Sequence, residues 1–306
     1  MLLGSCFSES IGNRLGDLYF PVDNNPFGIV YNPASVAIQL QRLLGAHAYE
    51  PSELFCYNGL WASFDHHSRF SNIDKKLCLD TINTRFTCSV TNLFSANFLF
   101  LTFGTSAVYF NIETDKPVSN CHKLPGKLFS RNFLSVSEIV ELYSKLIPEL
   151  KKVNPNLQIV FTVSPVRYLA DGAHRNQLNK ATLLLAIEEL CTRFTYVSYF
   201  PSYEILLDDL REYRFYSDDM IHPSTLAVDY IWDKFLETFI DDKSKTLMAD
   251  VQKITQASQH LPFNSNTEQH QKFVRQQIQK IHQLKIHHNI YMQKEEIIFD
   301  EQLRSS

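Results

Sequence analysis

The 306-residue sequence has few glycines, no excess of basic residues and no long uninterrupted apolar run. Nine glycines stand against 23 phenylalanines and 14 tyrosines, which predicts a core packed with aromatic side chains. The formal net charge is −4, so no overall positive field attracts nucleic acid, and we expect no nucleic-acid partner. The longest apolar runs fall short of the roughly eighteen residues that a membrane-spanning helix needs, so we expect no membrane partner.

Paired cysteines are also missing from the sequence. None of the six cysteines forms a CxxC pair or a zinc-type spacing; they are Cys6, Cys56, Cys78, Cys88, Cys121 and Cys191. This pattern is typical of reduced thiols, so we expect a protein of a reducing compartment, the cytoplasm. Because the chain begins inside its first predicted strand, a leader ahead of Met1 stays open as the alternative.

Apolar, strand-like runs alternate with amphipathic helical stretches along the first 241 residues. The runs at 97–103 and 157–163 are nearly continuous, as in strands that are covered on both faces. Because helical patterns separate the runs, we predict an α/β fold for residues 1–241, a three-layer α/β/α sandwich around a doubly wound, mainly parallel sheet. For residues 242–306 we predict a C-terminal helical extension packed on this domain, with a frayed tail from Gln293 onward.

Polar segments follow the predicted strands at the points where the strands end. In a parallel sheet the carboxyl ends of all strands lie at one edge, and ligands bind there. We therefore expect five polar segments to meet at that edge; they are residues 4–6, 25–28, 104–106, 164–167 and 216–224.

The first polar segment, Gly4-Ser5-Cys6, turns a strand directly into a helix. The free N–H groups and the dipole of a helix N-terminus stabilise a thiolate. We therefore predict a lowered pKa and a nucleophilic role for Cys6. The alternative is a tight turn whose half-buried thiol belongs to the core.

The last polar segment places Asp219 and His222 three residues apart. A carboxylate at this spacing fixes the tautomer of the histidine, which then acts as a general base. The alternative is a helix-entry cap beside a bystander histidine.

Residues 60–70 mix aromatic with polar side chains and show no clear period. Loops of this kind often carry binding groups, so we predict that His66 or His67 donates a hydrogen bond to a substrate. The alternative is a surface loop with solvated histidines, pinned by Trp61 and Phe64. We expect no metal site, because adjacent histidines point in different directions and no second pair lies at ligand spacing.

These motifs together resemble the GSCFA domain family and, more broadly, the SGNH (GDSL-like) hydrolase superfamily. The family is named for the opening turn, which here reads Gly4-Ser5-Cys6-Phe7-Ser8, with serine in place of the final alanine. The other matching segments follow in order along most of the chain: Asn25-Pro26-Phe27-Gly28, Asp65-His66-His67-Ser68, Gly104-Thr105, Ser164-Pro165-Val166-Arg167, residues 219–223 and the stretch around His260-Leu261-Pro262-Phe263.

The resemblance implies a hydrolase site whose roles fall on the matching positions. It implies Cys6 as the nucleophile, with Ser5 as the fallback if the turn is shifted by one residue. Asp219 and His222 match the Asp-x-x-His of the superfamily. The implied oxyanion donors are Gly28, Gly104 and Ser106, where Ser106 replaces the asparagine of the superfamily.

The resemblance also implies an esterase or acyl-transfer hydrolase that acts on small-molecule or glycan esters, such as an acylated carbohydrate, without a metal or organic cofactor. The candidate substrate contacts are Asn25, His66, His67 and Arg167. The Arg167 side chain either pairs with a carboxylate or phosphate of the substrate or ties down its own loop. The altered oxyanion position favours a rival function, a non-catalytic binding module for a small molecule or glycan on the same fold.

Overall fold

The computed structural model describes residues 1–260 and 267–304. Contacts within the chain divide it into two compact units. The first unit comprises Met1–Asn13 and Val22–Asp233, and the second comprises Arg14–Pro21 and Lys234–Ser306. The domain boundary predicted at residue 241 stays a prediction. The last predicted motif falls mainly on Leu261, Pro262 and Phe263, which lie outside the described residues.

Strands and helices alternate along the chain, as the apolar pattern predicts. Within the described residues the strands are β1 (Leu2–Gly4), β2 (Phe55–Tyr57), β3 (Leu60–Ala62), β4 (Phe98–Phe103), β5 (Ala107–Asn111), β6 (Lys116–Val118), β7 (Phe129–Phe133), β8 (Gln158–Val163) and β9 (Val197–Tyr199). The helices are α1 (Cys6–Asp17), α2 (Pro33–Gly45), α3 (Lys75–Ser95), α4 (Val136–Val153), α5 (Gly172–Arg193), α6 (Ser202–Glu204), α7 (Thr225–Phe239), α8 (Asp242–Gln259), α9 (Glu268–His288) and α10 (Gln293–Arg304). None of the helices in the described ranges combines the length and apolar character that a membrane crossing requires.

The central sheet is parallel, with strand order β1-β4-β8-β9. Leu3 pairs with Leu101, and Leu101 pairs with Phe161, so these side chains line one face of the sheet. That face packs in a single apolar core with buried residues of α2, α4 and α5. Leu2 and Phe100 point to the opposite face and are buried as well, which explains the continuous apolar runs. The predicted α/β fold with a mainly parallel sheet and C-terminal helices is confirmed.

Two small antiparallel sheets accompany the parallel one. The β2–β3 hairpin lies in the aromatic segment around residue 60, and β6-β5-β7 follows directly after β4. The backbone N–H of Leu134 donates to Ser106 O at 2.9 Å, so the end of β7 returns to the third polar segment. The sequence pattern did not predict these strands, because most of their residues are half-exposed and too few for a clear alternation.

In the second unit, a buried carboxylate of α10 is bonded to α8 and to the segment of Tyr19. Tyr19 and Thr255 both donate hydroxyl hydrogen bonds to Glu295, which begins the buried side of α10. Phe299 is fully buried one turn later. The predicted frayed tail is therefore wrong for residues 293–304, because Phe299 and Glu295 anchor this segment as a helix.

Candidate functional site

Polar segments meet at the carboxyl edge, the margin of the sheet where β1, β4 and β8 end. The N–H of Gly4 donates to Asn25 Oδ1 at 2.8 Å, which joins the first polar segment to the second. Ser5 Oγ donates to Ser164 Oγ at 3.0 Å, which joins the first to the fourth. The N–H of Ser164 donates to Phe103 O at 2.8 Å, directly before the third. The expectation that these segments converge is confirmed.

The opening turn depends on Gly4. Its φ of +143° and its closeness to β4 both exclude a side chain, because a Cβ would lie 2.2 Å from Thr102 O. Ser5 is only 1% exposed, and its hydroxyl is engaged with Ser164, so a substrate does not reach it in this conformation. Cys6 begins α1 and is partly exposed, so of the two candidate nucleophiles in the turn it is the more accessible one.

Burial dominates the electrostatics of Cys6. It raises the pKa of the thiol above its usual value, because a desolvated thiolate is unfavourable. The N–H groups of Phe7 and of Cys6 itself lower the pKa, Glu9 raises it and Lys180 lowers it. The predicted lowered pKa is therefore wrong: the helix N-terminus acts in the expected direction, but desolvation outweighs it.

Asp219 and His222 form a hydrogen-bonded pair in the loop before α7. His222 Nδ1 lies 2.6 Å from Asp219 Oδ2, while Asp219 Oδ1 accepts the N–H groups of Ile221 and His222 at 2.9 and 3.0 Å. The N–H of His222, its imidazole and the N–H of Ile221 lower the pKa of Asp219 to about 2. Because the ionised carboxylate accepts the hydrogen on Nδ1, the neutral ring keeps its lone pair on Nε2, where a general base needs it.

Arg167 ties the Asp219–His222 loop to the fourth polar segment. Its N–H donates to Ile221 O at 3.1 Å, and its guanidinium donates to Met220 O at 3.2 Å. The guanidinium also stacks 3.8 Å from the centre of the Tyr216 ring. These contacts agree with the loop-fixing alternative for Arg167 rather than with a free anion-binding group.

The two candidate reacting groups lie on connected loops without touching. Cys6 is joined to Ser164 through its neighbour Ser5, and the segment that begins at Ser164 ends in Arg167, which holds the loop of His222. In the part of the chain that the structure describes, Cys6 and His222 share no hydrogen bond. The described contacts thus connect the segments that carry the two candidate groups, without a hydrogen bond between the groups themselves.

The three implied oxyanion donors are all engaged inside the protein. The N–H of Gly28 donates to Asn25 O at 2.8 Å, and the N–H of Gly104 donates to Tyr31 O at 2.7 Å. The Ser106 hydroxyl is buried and donates to Asn179 Oδ1 at 3.0 Å. In this conformation none of the three is available to a substrate oxygen, because each hydrogen already has an acceptor.

Asn25 offers a donor that the sequence reasoning did not assign to this role. Its side chain is buried, and its Oδ1 accepts the N–H of Gly4, which fixes which end of the amide is oxygen. The other end, Nδ2, has no acceptor among the described residues. The backbone of Asn25 is held at φ +42° by bonds to Leu2 O and from Gly28 N–H, so the amide is rigidly placed beside the opening turn.

His66 belongs to the core. It is 1% exposed, and its ring packs against Phe27, Tyr49 and Phe70, with Nδ1 3.1 Å from Ser63 Oγ. Burial lowers the pKa of His66 to about 3, so the ring is neutral at physiological pH. The prediction that it donates to a substrate is wrong, because aromatic rings enclose it.

His67 lies nearer to the opening helix. Its Nδ1 accepts the N–H of Arg69 at 3.2 Å, and a Cβ built on Gly28 would lie 2.2 Å from the Cβ of His67. Arg69 in turn forms an ion pair with Glu9 in the first turn of α1 and donates to Asn25 O at 2.7 Å. The half-buried ring is thus close to the second polar segment, and its role as a substrate contact stays a prediction.

Lys180 is the site residue that sequence reasoning missed. It is 1% exposed, and its Nζ donates to Ser164 O at 2.6 Å and to Val166 O at 3.0 Å. Burial lowers the pKa of this lysine to about 7, and the charge of Cys6 acts in the opposite direction. A signal was present in the sequence: Lys180 stands three residues before Leu183 and seven before Ile187, so it occupies the apolar stripe of α5.

These residues define the class of the protein: an α/β protein with a thiol, a His–Asp pair and a buried lysine at the carboxyl edge of a parallel sheet. Among residues 1–260 and 267–304, no group of three or more His, Cys, Asp or Glu side chains is arranged to hold a metal ion.

The chain belongs to the GSCFA family, whose family model matches residues 1–235. A second model, described as the GSCFA domain protein, C-terminal domain, matches residues 251–305. Comparison with curated proteins and with solved structures found no match. The resemblance to the GSCFA family is confirmed, and the wider SGNH assignment stays a prediction.

Proposed function

We propose that this protein is an acyl-transfer hydrolase of the SGNH type that acts on ester bonds, with Cys6 as the nucleophile. The observation that carries the proposal is the Asp219–His222 pair, held by Arg167 on the loop system that also positions the opening turn. A solvated, oriented imidazole and a partly exposed thiol on one rim are the parts that nucleophilic acyl transfer requires.

The reaction begins with transfer of the Cys6 proton to His222 Nε2, while Asp219 holds the imidazolium through Nδ1. The sulfur forms a bond to the ester carbonyl carbon, and the carbonyl electrons move to oxygen. When the tetrahedral intermediate collapses, the alkoxide leaves with the proton from Nε2, and a thioester remains on Cys6. Water or an acceptor hydroxyl, deprotonated by Nε2, then releases the acyl group.

The oxyanion requires hydrogen-bond donors that are not already engaged. The Nδ2 of Asn25 meets this condition, whereas the N–H groups of Cys6 and Phe7 at the start of α1 point at the sulfur of Cys6. A helix N-terminus favours negative charge, and each such donor typically contributes about a hundredfold to the rate. We therefore assign the oxyanion to the Asn25 amide rather than to Gly28, Gly104 and Ser106, with the N–H groups of Cys6 and Phe7 joining it as negative charge moves from sulfur to the carbonyl oxygen. Because the amide is buried, this assignment requires that substrate binding opens the turn to it.

Substrate binding would bring Cys6 and His222 into contact. Catalytic hydrogen bonds are often unformed without substrate and tighten in the complex. The substrate class that we propose is a small-molecule or glycan ester, with acylated carbohydrate as the example suggested by the superfamily. Because Cys6 and the other five cysteines are all free thiols, we also propose that the protein works in a reducing compartment such as the cytoplasm.

A second candidate function is a non-catalytic binding module for a small molecule or glycan. Two observations favour it. The oxyanion donors that the resemblance implies, Gly28, Gly104 and Ser106, already donate to acceptors inside the protein, and the pKa of Cys6 is raised rather than lowered. Such a protein would bind its ligand at the same rim without turning it over.

The two candidates are separated by assaying short-chain aryl esters and acetylated sugars with the wild type, Cys6→Ala and His222→Asn. Cys191→Ala serves as the matched control, because it removes a half-buried thiol on α5. We expect turnover to disappear in the first two variants and to persist in the control. Turnover that survives Cys6→Ala would refute the proposed nucleophile, and ligand binding without any turnover would support the binding module.

A further inference from the structure

The second unit contains two clefts that adjoin each other. One cleft, of about 440 Å³, lies between helix α8 and the segment that follows α1. The other, of about 530 Å³, lies between α8 and α9. Leu247 of α8 and His288 at the end of α9 line both clefts, so the two form one groove. Each volume is in the range of small-molecule sites in proteins.

The cleft beside the end of α1, called here the apolar cleft, is lined mainly by apolar side chains. They are Leu18, Phe20, Pro21, Met248, Val251 and Ile290. Met248 and Val251 are buried, whereas Leu247 and Ile290 at the sides are half-buried. Partly exposed apolar side chains around a cleft favour an apolar ligand group, because covering them removes their surface from water.

The cleft between α8 and α9, called here the basic cleft, carries an excess of positive charge. Its lysines and histidines are Lys253, Lys280, His287 and His288. Asp250 is the one carboxylate in its described lining, and it lies 3.6 Å from Lys253, which offsets its charge. In the described part of the chain no carboxylate forms an ion pair with Lys280. The basic cleft therefore favours an anionic ligand group.

The end of α9 does not account for the position of Lys280. Cations are favoured beside the carbonyl groups of a helix C-terminus, but this effect is confined to the last turn. Lys280 stands eight residues before His288, the last residue of α9, and so lies about two turns inside the helix. The N–H of Asn289 also donates to Lys285 O at 3.2 Å, so the helix end has a cap of its own. The charge of Lys280 is thus available to a ligand.

The groove is of moderate length. On α8 it extends from Ser244 in the apolar cleft to Ile254 in the basic cleft, which is about 15 Å along the helix axis. A ligand that fills it has an apolar part in one cleft and an anionic part in the other. These two parts, at this separation, describe a single chain of medium length with a charged end.

We propose that the groove binds a medium-chain fatty acid, with its carboxylate in the basic cleft and its chain in the apolar cleft. Lys280 donates a charge-assisted hydrogen bond to the carboxylate, and Leu247 contacts the chain where it passes from one cleft to the other. The proposal goes beyond the proposed function and does not rest on it. The groove belongs to the second unit, whereas Cys6, Asp219 and His222 belong to the first.

The test is isothermal titration calorimetry of the full-length protein with decanoate at pH 8 and low ionic strength, below the concentration at which decanoate forms micelles. We expect saturable binding of one decanoate per protein. Octanoate should bind roughly fifteenfold more weakly, because two fewer methylene groups leave water. Decyltrimethylammonium, which has the same chain and the opposite charge, should bind at least about tenfold more weakly than decanoate. The absence of saturable decanoate binding, or equal binding of the cation, would overturn the proposal.

Two variants locate the ligand in the groove. Lys280→Met removes the charge of an exposed side chain, so it should fold normally and weaken decanoate binding about tenfold. Leu247→Gln should weaken decanoate and decyltrimethylammonium alike, by about tenfold, because the chain loses an apolar contact. Lys145→Met is the matched control: it removes an exposed lysine of α4, in the first unit, and should leave the affinity unchanged. Decanoate binding that is unchanged in either of the first two variants, or equally weakened in the control, would overturn the proposal.

Two further comparisons separate this ligand from a membrane surface and from the proposed ester substrate. Binding to phosphatidylglycerol vesicles without binding to monomeric decanoate would overturn the proposal in favour of a lipid surface. Decanoate has no ester bond, so its binding requires no turnover at Cys6. Decanoate binding without esterase turnover would support the groove and refute the proposed function, and turnover without decanoate binding would do the reverse.

Discussion

The buried ammonium of Lys180 should make the protein less stable at neutral pH than at alkaline pH, and Lys180→Met should remove this dependence. Burial lowers the pKa of the lysine from 10.5 in the unfolded chain to about 7. Between these two values the unfolded chain holds a proton that the folded chain has released. Since proton binding then favours the unfolded state, the stability of the wild type rises as pH increases from about 7 to about 10.

The magnitude follows from the depressed pKa. At about 1.4 kcal/mol per pKa unit, the drop from 10.5 to about 7 corresponds to about 5 kcal/mol. Partial ionisation at both ends reduces the change between about pH 7 and about pH 10 to about 3.5 kcal/mol. The variant leaves the carbonyls of Ser164 and Val166 without this donor, at a cost of about 1–3 kcal/mol each, but that cost does not vary with pH.

The assay is urea denaturation of the wild type, Lys180→Met and Lys145→Met at both pH values. Groups that do not interact with Lys180 titrate alike in the three proteins, so they cancel from the difference in free energy of unfolding. We expect the advantage of Lys180→Met over the wild type to be about 3.5 kcal/mol larger at neutral than at alkaline pH. The exposed control should show no such dependence. Equal pH dependence in Lys180→Met and the wild type would refute the argument that the buried lysine releases its proton.

Three further changes test the opening turn and its surroundings. Gly4→Ala should destabilise the protein by about 3 kcal/mol or more in thermal denaturation, whereas Gly126→Ala, which meets no atom within 4 Å, should change little. Asn25→Asp keeps an acceptor for the Gly4 N–H but removes the amide donor, so kcat for an aryl ester should fall about a hundredfold; an unchanged kcat would exclude the amide from the oxyanion site. Glu9→Gln removes a charge that raises the pKa of Cys6, so iodoacetamide should label Cys6 about twofold faster or more at pH 8.

The parallel sheet could be predicted because its signal is local and repeated. Continuous apolar runs of six or seven residues, separated by helical patterns, have few arrangements other than buried parallel strands. The β5–β7 sheet escaped prediction because its strands are half-exposed. Helix α10 was not predicted for a different reason. Glu295 and Phe299 stabilise it by their burial, and Glu295 bonds Tyr19, which lies 276 positions earlier in the chain.

The same distinction between local and distant contacts applies to the site. Asp219 and His222 are three residues apart, so their spacing alone predicts the hydrogen bond that the structure shows. The engagement of Ser106 depends on Asn179, 73 positions along the chain, and no local pattern reveals it. The substrate contact predicted for His66 was wrong for the same reason, since the aromatic residues that bury it come from three separate segments of the chain. Residue identity predicts what a side chain is able to donate, whereas the acceptor it finds is set by the fold.

The pKa of Cys6 shows why a motif that is recognised correctly still leaves the chemistry open. The helix N-terminus lowers the pKa of Cys6, and burial raises it. The sequence predicts the helix N-terminus, but it does not show how deeply the thiol is buried. A thiol in this position requires a nearby positive charge if it is to ionise near neutral pH. Lys180 stands in the apolar stripe of α5, where burial lowers its pKa to about 7, an effect that the sequence also leaves hidden. Burial thus disfavours the charged form of both groups, since it raises the pKa of the thiol and lowers that of the lysine.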